Sequence, residues 1–221
     1  ETGRVIEVNP IVWQIILNLF ILTFRPSKTA HAYKKIWRKE SNESPLLYYT
    51  RSQANKLNNN IGNEKIIVDF AMRYGNPSIK SRLNKLKEEG CENIVVLPLY
   101  PQYAASSTGS VFDAVAKELL AWRNVPDLRF ISNYSEDEMY IDALANSVKE
   151  YQKKHGKPDF LLMSYHGIPK RYFDNGDNYP CQCCRTTFRL AQKLDLKPNE
   201  YQMTFQSRPV SYTHLTLPTK A

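Results

Sequence analysis

The chain has 221 residues, of which 42% are hydrophobic, and its formal net charge is +8. This composition excludes a disordered tail and provides enough apolar side chains for one large or two small domains. The basic residues are scattered, whereas nucleic-acid-binding surfaces concentrate them, so we expect no nucleic-acid partner. Three of the four cysteines lie within residues 181–184, a poor layout for disulfides. A reducing, cytoplasmic compartment is therefore expected.

An apolar run lies near the start of the chain. The run at residues 11–24 is shorter than the roughly 20 residues that span a bilayer. It predicts either a buried helix or a peripheral membrane contact, and the opening residues do not resemble a signal peptide. Apolar, β-branched segments then alternate with charged helical segments, which predicts an α/β fold with parallel sheets. Strands are predicted at residues 65–72, 93–99, 128–131 and 160–164. Helices are predicted at residues 79–89, about 111–122 and 136–154.

The loops that follow these strands are the predicted ligand site, because ligands of open α/β sheets bind at the carboxyl ends of the strands. His166 directly follows a predicted strand, and Gly167 and Pro169 fix the turn after it. An imidazole, with an unperturbed pKa near about 6.5, binds metals or takes a proton at neutral pH. The alternative is a strand-end histidine that is bonded to a backbone carbonyl.

Three further groups of residues have two interpretations each. The hydroxyl-rich loop at residues 100–110 precedes a helix, so it either binds an anion or caps the helix. Arg73 either pairs with a ligand carboxylate or forms a surface ion pair. Cys181, Cys183 and Cys184 either bind a metal or are free thiols, and the lack of the two separated pairs that are typical of zinc sites favours free thiols. The sequence contains neither GxGxxG nor GxxxxGK[ST], which removes support for dinucleotide and P-loop sites.

Seven stretches together resemble the ferrochelatase family, and they occur in the family's order up to residue 208. They are FRPSKTAHAYKKIW (24–37), SPLLYYTRSQ (44–53), AMRYGNPSI (71–79), VVLPLYPQYAASSTGSVFDAV (95–115), SYHGIPKRY (164–172), GDNYPCQCCRTT (176–187) and TFQSR (204–208). Each stretch alone is weak, but seven in order are highly specific.

This resemblance implies two Rossmann-like, chelatase-type domains with parallel sheets and a porphyrin cleft. Residues 1–133 would form the first domain, incomplete at its N-terminus, and residues 134–208 a truncated second domain. Residues 209–221 read as a foreign or disordered tail, because they break the pattern. The family's opening strand and the acidic residue opposite its histidine are absent, so we expect this chain alone to be inactive.

The resemblance also implies the activity, which is insertion of Fe²⁺ into protoporphyrin IX to form protohaem. His166 would be the metal ligand or proton acceptor. The residues implied to contact the porphyrin are Arg73, Tyr74, Tyr103, Ser106 and Thr108. No cofactor is expected to be required. A [2Fe–2S] cluster, which some family members hold, usually through cysteines beyond this chain, stays an alternative that the CQCC stretch does not establish.

Two other functions stay open at this point. One is a non-catalytic porphyrin- or metal-binding protein on the same fold, and the other is a chelatase for a different tetrapyrrole. Protoporphyrin and coproporphyrin are not distinguished by these residues, although the SYHGIP stretch favours protoporphyrin.

Overall fold

The computed structural model describes residues 13, 14, 16–18, 22–63 and 65–206. Their helices are α1 (Leu22–Ile36), α2 (Pro45–Ile61), α3 (Ile79–Glu88), α4 (Ser110–Leu119), α5 (Glu138–His155), α6 (Lys170–Asp174) and α7 (Tyr179–Lys193). Their strands are β1 (Asn93–Val96), β2 (Asp127–Phe130), β3 (Leu161–His166) and β4 (Tyr201–Gln206). The chain divides into two compact units, Glu1–Ile94 with Val111–Asp127 and Val95–Ser110 with Leu128–Ala221. Residues 95–110 thus group with the second unit, and the predicted boundary at residue 133 stays a prediction.

The strands form two parallel pairs, which confirms the predicted α/β class. In the β3–β4 pair, Leu161 lies opposite Tyr201 and His166 opposite Gln206. In the β1–β2 pair, the hydrogen bonds that flank the strands run from residue 127 to 92 and from 131 to 96, so both strands advance together. Strand β1 is four residues long, shorter than predicted, because Pro98 has no N–H group for a strand partner.

The first unit has its helix α3 where the sequence predicts it. Ser78 caps the helix by accepting a hydrogen bond from the N–H of Ser81 at 3.1 Å. Gly90, predicted to cap the other end, has a φ of +76°, a conformation that favours glycine. Apolar side chains from α3, β1, α4 and the turn after it are buried: Leu83, Ile94, Val111, Val115, Leu119 and Trp122.

The strand predicted at residues 65–72 is wrong. Among the described residues, the only ladder contacts of this segment are isolated bridges from Ile66 to Asn63 and from Met72 to Ser78. Ile66 and Ile67, expected to be buried, are 44% and 45% exposed. The apolar, β-branched composition favours a strand, but a strand also requires a neighbour that pairs with its backbone groups.

The second unit has its core between helices α5 and α7 and the β3–β4 pair. Ala145 of α5, Met163 of β3, and Leu190 and Ala191 of α7 are its buried centre. Asp137 begins α5 by accepting a hydrogen bond from the Tyr140 N–H at 3.1 Å. Helix α7 and strand β4 are absent from the sequence-based prediction, whereas α5 and β3 confirm it to within two residues at each end.

Two predictions fall wholly or partly outside the described residues. The tail at residues 209–221 lies outside them, as do six of the fourteen residues of the apolar run at residues 11–24. Membrane contact through that run therefore stays a prediction. Within the described part of the chain, no helix combines the length and the apolar character that a membrane span requires.

Candidate functional site

His166 is the last residue of β3, so its imidazole lies at the carboxyl end of a parallel strand pair, as predicted. The residue is exposed, whereas Gly167 and Ile168 after it are buried. The N–H of Gly167 donates to the carbonyl of Gln206 at 2.8 Å, which continues the β3–β4 ladder past His166. The backbone is thus held on both sides of the histidine while its ring remains accessible to a ligand.

Three side chains near His166, of which Cys183 is buried and two tyrosines are half-buried, stay protonated at neutral pH. Burial raises the pKa of Tyr165 to about 12, and its phenol oxygen accepts a hydrogen bond from the Thr187 hydroxyl at 3.0 Å. Burial likewise raises the pKa of Cys183 to about 12. Burial also raises the pKa of Tyr179, which makes a hydrogen bond with the backbone of His166. At neutral pH these three side chains are uncharged, and none of them is a ready proton acceptor.

The loop at residues 100–110 is held by side chains from α7 and the turn before it. The N–H of Tyr103 donates to Oε1 of Gln182 at 2.7 Å, and the N–H of Ala105 donates to Oδ2 of Asp177 at 2.7 Å. The side chain of Gln102 donates to Oγ1 of Thr186 at 3.0 Å. Three positions of this loop are therefore fixed by residues more than 70 positions later in the chain.

The turn at Ala105–Gly109, which leads into α4, begins without a side-chain cap, and two hydroxyl groups of the loop donate to carbonyls within it. Ser107 and Ser110 donate through Oγ to the carbonyls of Ala104 and Ser107, at 3.3 and 2.8 Å. The Ala105 N–H donates a hydrogen bond to the Asp177 carboxylate. The start of the turn at Ala105–Gly109 therefore already binds an acidic side chain of the protein itself.

The loop residues that were assigned to the porphyrin differ in accessibility. Tyr103 and Ser106 are half-buried. Thr108 is fully buried, and its hydroxyl has no hydrogen-bond partner among the described residues. Of the three assigned loop residues, Tyr103 and Ser106 are therefore the ones whose side chains are accessible to a ligand in this structure.

Asp177, Gln182 and Thr186 were not predicted as site residues from the sequence. Asp177 is buried, which raises the pKa of its carboxyl, while hydrogen bonds from the N–H groups of Ala105 and Tyr179 lower it. Gln182 and Thr186 stand one turn apart on α7 and are 3% and 1% exposed. A proline near the start of a helix followed by polar residues at i and i+4 is the signal that would have indicated a buried polar face.

Arg73 and Tyr74 belong to the first unit. The guanidinium of Arg73 lies 4.5 Å from the centre of the Tyr74 ring, and Tyr74 is 57% exposed. The Met72 N–H donates to the Pro77 carbonyl at 2.7 Å and closes this loop. The role of both side chains at a porphyrin cleft stays a prediction.

The cysteine cluster lies on α7 in two different environments. Cys181 and Cys184 are exposed, whereas Cys183 is completely buried. Among the described residues, no three histidine, cysteine, aspartate or glutamate side chains are grouped as a metal site. The expectation that no cofactor is required stays a prediction.

Comparison with known proteins identifies the family. The ferrochelatase family model matches residues 1–215. A ferrochelatase of Hydrogenovibrio crunogenus is 50% identical over 209 residues, which are 92% of this chain and 55% of that protein. Ferrochelatases of Pseudoalteromonas atlantica and Aromatoleum aromaticum are 47% and 50% identical over 93% of this chain, and 57% and 56% of their own lengths are covered. The chain thus spans a little over half the length of these curated relatives, and it belongs to the ferrochelatase family.

Proposed function

We propose that the protein of which this chain is part inserts ferrous iron into protoporphyrin IX to form protohaem, the last step of haem synthesis. The observation that carries the proposal is the family match over residues 1–215, within which an exposed His166 lies at the carboxyl end of β3. The four free cysteines extend the proposal to a reducing, cytoplasmic location.

The chemistry explains why a histidine is suitable at this position. Metallation exchanges two pyrrole N–H protons for one Fe²⁺, so the site has to accept two protons and remove water from the metal. A neutral imidazole offers one lone pair in the ring plane, because its other nitrogen carries a proton. His166 can therefore bind the metal or take one proton at a given moment, but it cannot do both. A second acceptor is required, which agrees with the family's acidic residue opposite the histidine.

The remaining assigned residues would bind the macrocycle. Arg73 would pair with a propionate, as arginine's planar fork suits carboxylates. Tyr103 and Ser106 would contact the ring or its substituents from the loop that α7 holds. A cleft that prefers a bent ring would expose the pyrrole nitrogens to the metal, and this preference would accelerate the reaction only if it is stronger in the transition state than in the bound substrate.

The test is metal insertion by the full-length protein, with Zn²⁺ and Fe²⁺ as metals and both protoporphyrin and coproporphyrin as acceptors. The variants are His166→Ala and, as a matched control, His155→Ala, which changes an exposed histidine on α5 that stacks on Tyr151. We expect His166→Ala to lower turnover by at least about 100-fold with porphyrin binding retained, and His155→Ala to leave turnover unchanged.

Each other result has a definite meaning. Tight porphyrin binding without turnover by the wild-type protein would favour the non-catalytic binder. Preference for a different tetrapyrrole or metal would favour the other chelatase. Equal turnover of wild type and His166→Ala would overturn the assigned role of His166 while leaving the activity established.

A further inference from the structure

Gln182 and Thr186 form a buried polar face on α7 that the proposed function does not use directly. Both side chains are almost fully inaccessible, and both make hydrogen bonds to residues 79 to 84 positions earlier in the chain. Buried polar groups lower stability unless they are fully paired. The buried face of Gln182 and Thr186 therefore requires that its hydrogen-bond partners occupy defined positions.

Hydrogen bonds at both the oxygen and the nitrogen of the Gln182 side-chain amide orient it. Its Oε1 accepts the hydrogen bond from the Tyr103 N–H at 2.7 Å, and its Nε2 donates to Oδ1 of Asn178 at 3.1 Å. Because Asn178 immediately precedes α7, the amide is tied to the start of the same helix. The Tyr103 backbone therefore has one fixed position relative to α7.

Thr186 holds the residue before Tyr103 in the same way. Its hydroxyl oxygen accepts from the Gln102 side chain at 3.0 Å, and its proton is directed to the carbonyl of Ser135 at 2.7 Å. The Gln102 side chain is also hydrogen-bonded to Tyr140 of α5. Helix α7 thus holds two consecutive loop residues, Gln102 through its side chain and Tyr103 through its backbone.

We propose that Gln182 and Thr186 are positioning residues that place the half-buried Tyr103 for porphyrin binding. This inference rests on the proposed function, since Tyr103 is a porphyrin contact only if the protein binds a porphyrin. The competing explanation is that the two side chains stabilise the fold and do nothing else. The two explanations differ in which kinetic constant changes. A shifted loop weakens porphyrin binding and raises KM, whereas loss of folded enzyme lowers the apparent kcat at unchanged KM.

The experiment uses the full-length protein and three substitutions. Gln182→Leu removes the acceptor for the Tyr103 N–H at nearly constant volume. Gln182→Glu keeps a carboxylate oxygen as acceptor, and the Asn178 amide can rotate to donate to its other oxygen. Gln192→Leu is the matched control, because Gln192 is an exposed glutamine on the same helix.

We measure the KM for protoporphyrin, the KM for Zn²⁺ and the kcat, together with hydrogen exchange at the Tyr103 amide. Gln182→Leu should raise the porphyrin KM about tenfold, since an unpaired buried N–H is costly, and it should speed exchange at Tyr103. The KM for Zn²⁺ should stay within about twofold, Gln182→Glu should restore the porphyrin KM to within about threefold, and Gln192→Leu should match the wild type.

The outcomes separate this inference from the proposed function. A wild-type protein that metallates protoporphyrin, with a Gln182→Leu variant of unchanged porphyrin KM, overturns the positioning role alone. A lowered kcat at unchanged KM in Gln182→Leu also overturns it, in favour of a purely stabilising role. A wild-type protein that neither binds nor metallates porphyrin overturns the proposed function, and the inference fails with it whatever the Tyr103 exchange rate is.

Discussion

Replacing Asp177 by alanine removes two hydrogen bonds from one buried carboxylate, and the structure sets the size of the effect. Asp177 is 6% exposed, and it accepts from the Ala105 N–H at 2.7 Å and from the Tyr179 N–H at 3.1 Å. A hydrogen bond to a charged group contributes roughly 1.5–3 kcal/mol. Burial raises the pKa of this carboxyl, which means that desolvation offsets part of the gain, so the lower end of the range applies. We expect Asp177→Ala to cost about 3 kcal/mol.

The same reasoning predicts a smaller loss for Asp177→Asn. Asparagine keeps one oxygen for one of the two N–H groups, but its NH₂ group then faces the other, so about half of the cost remains. The matched control is Asp174→Ala, which removes an exposed ion pair to Lys170 at 2.7 Å. Surface ion pairs contribute between 0 and about 1 kcal/mol, so this control should be nearly silent.

The assay is urea unfolding of the full-length protein, with the free energy of unfolding taken at constant m-value. Hydrogen exchange at the Ala105 amide is measured in parallel and should be faster in Asp177→Ala. If Asp177→Ala lost no more stability than Asp174→Ala, the carboxylate would not be supporting the loop, and the magnitude worked out above would be refuted.

Three further changes test the fold around the site and elsewhere, all by urea unfolding. Burial raises the pKa of Cys183 from 9.0 to about 12, so its contribution to stability is complete below pH 9.0 and is lost as the pH rises toward 12, by at most about 1.4 kcal/mol per unit. Cys183→Ala should therefore flatten the fall in stability between pH 9 and 10; an equal slope in both proteins would contradict this. Gly90→Ala, at a φ of +76°, should cost about 1–2 kcal/mol through backbone strain, since nothing lies within 4 Å of the added methyl group; no loss would mean that the turn relaxes. Tyr165→Phe should cost about 1 kcal/mol because the Thr187 hydroxyl loses its acceptor, and a neutral result would indicate that water replaces it.

The elements that sequence reasoning predicted well are those whose signals are local. Ser78 and Gly90 bound helix α3 through cap chemistry that depends on a few neighbouring residues. Strand β3 and His166 at its end were also predicted, because a short apolar segment and the glycine after it are adjacent in sequence.

The elements that sequence reasoning missed depend on distant partners. Helix α7 turns the polar residues Gln182 and Thr186 inward together with apolar ones such as Leu190, and this mixture weakens the apolar period that predicts a helix. Strand β4 does alternate apolar and polar residues, with Tyr201, Met203 and Phe205 on alternate positions, and this signal was available but short. The segment at 65–72 fails in the opposite sense, because its composition favours a strand while pairing is a property of a neighbouring segment.

Helix α7 supports both parts of the candidate site in the second unit. Thr187 holds Tyr165, the residue before His166, and Tyr179 hydrogen-bonds to the His166 backbone. Gln182 holds Tyr103 from the same helix. Because a helix is a rigid element, α7 fixes the positions of the histidine and the loop relative to each other. Under the proposed function, contacts near Tyr165 should then influence the metal step and contacts near Tyr103 the porphyrin step, so that kcat and the porphyrin KM can be changed separately from one helix.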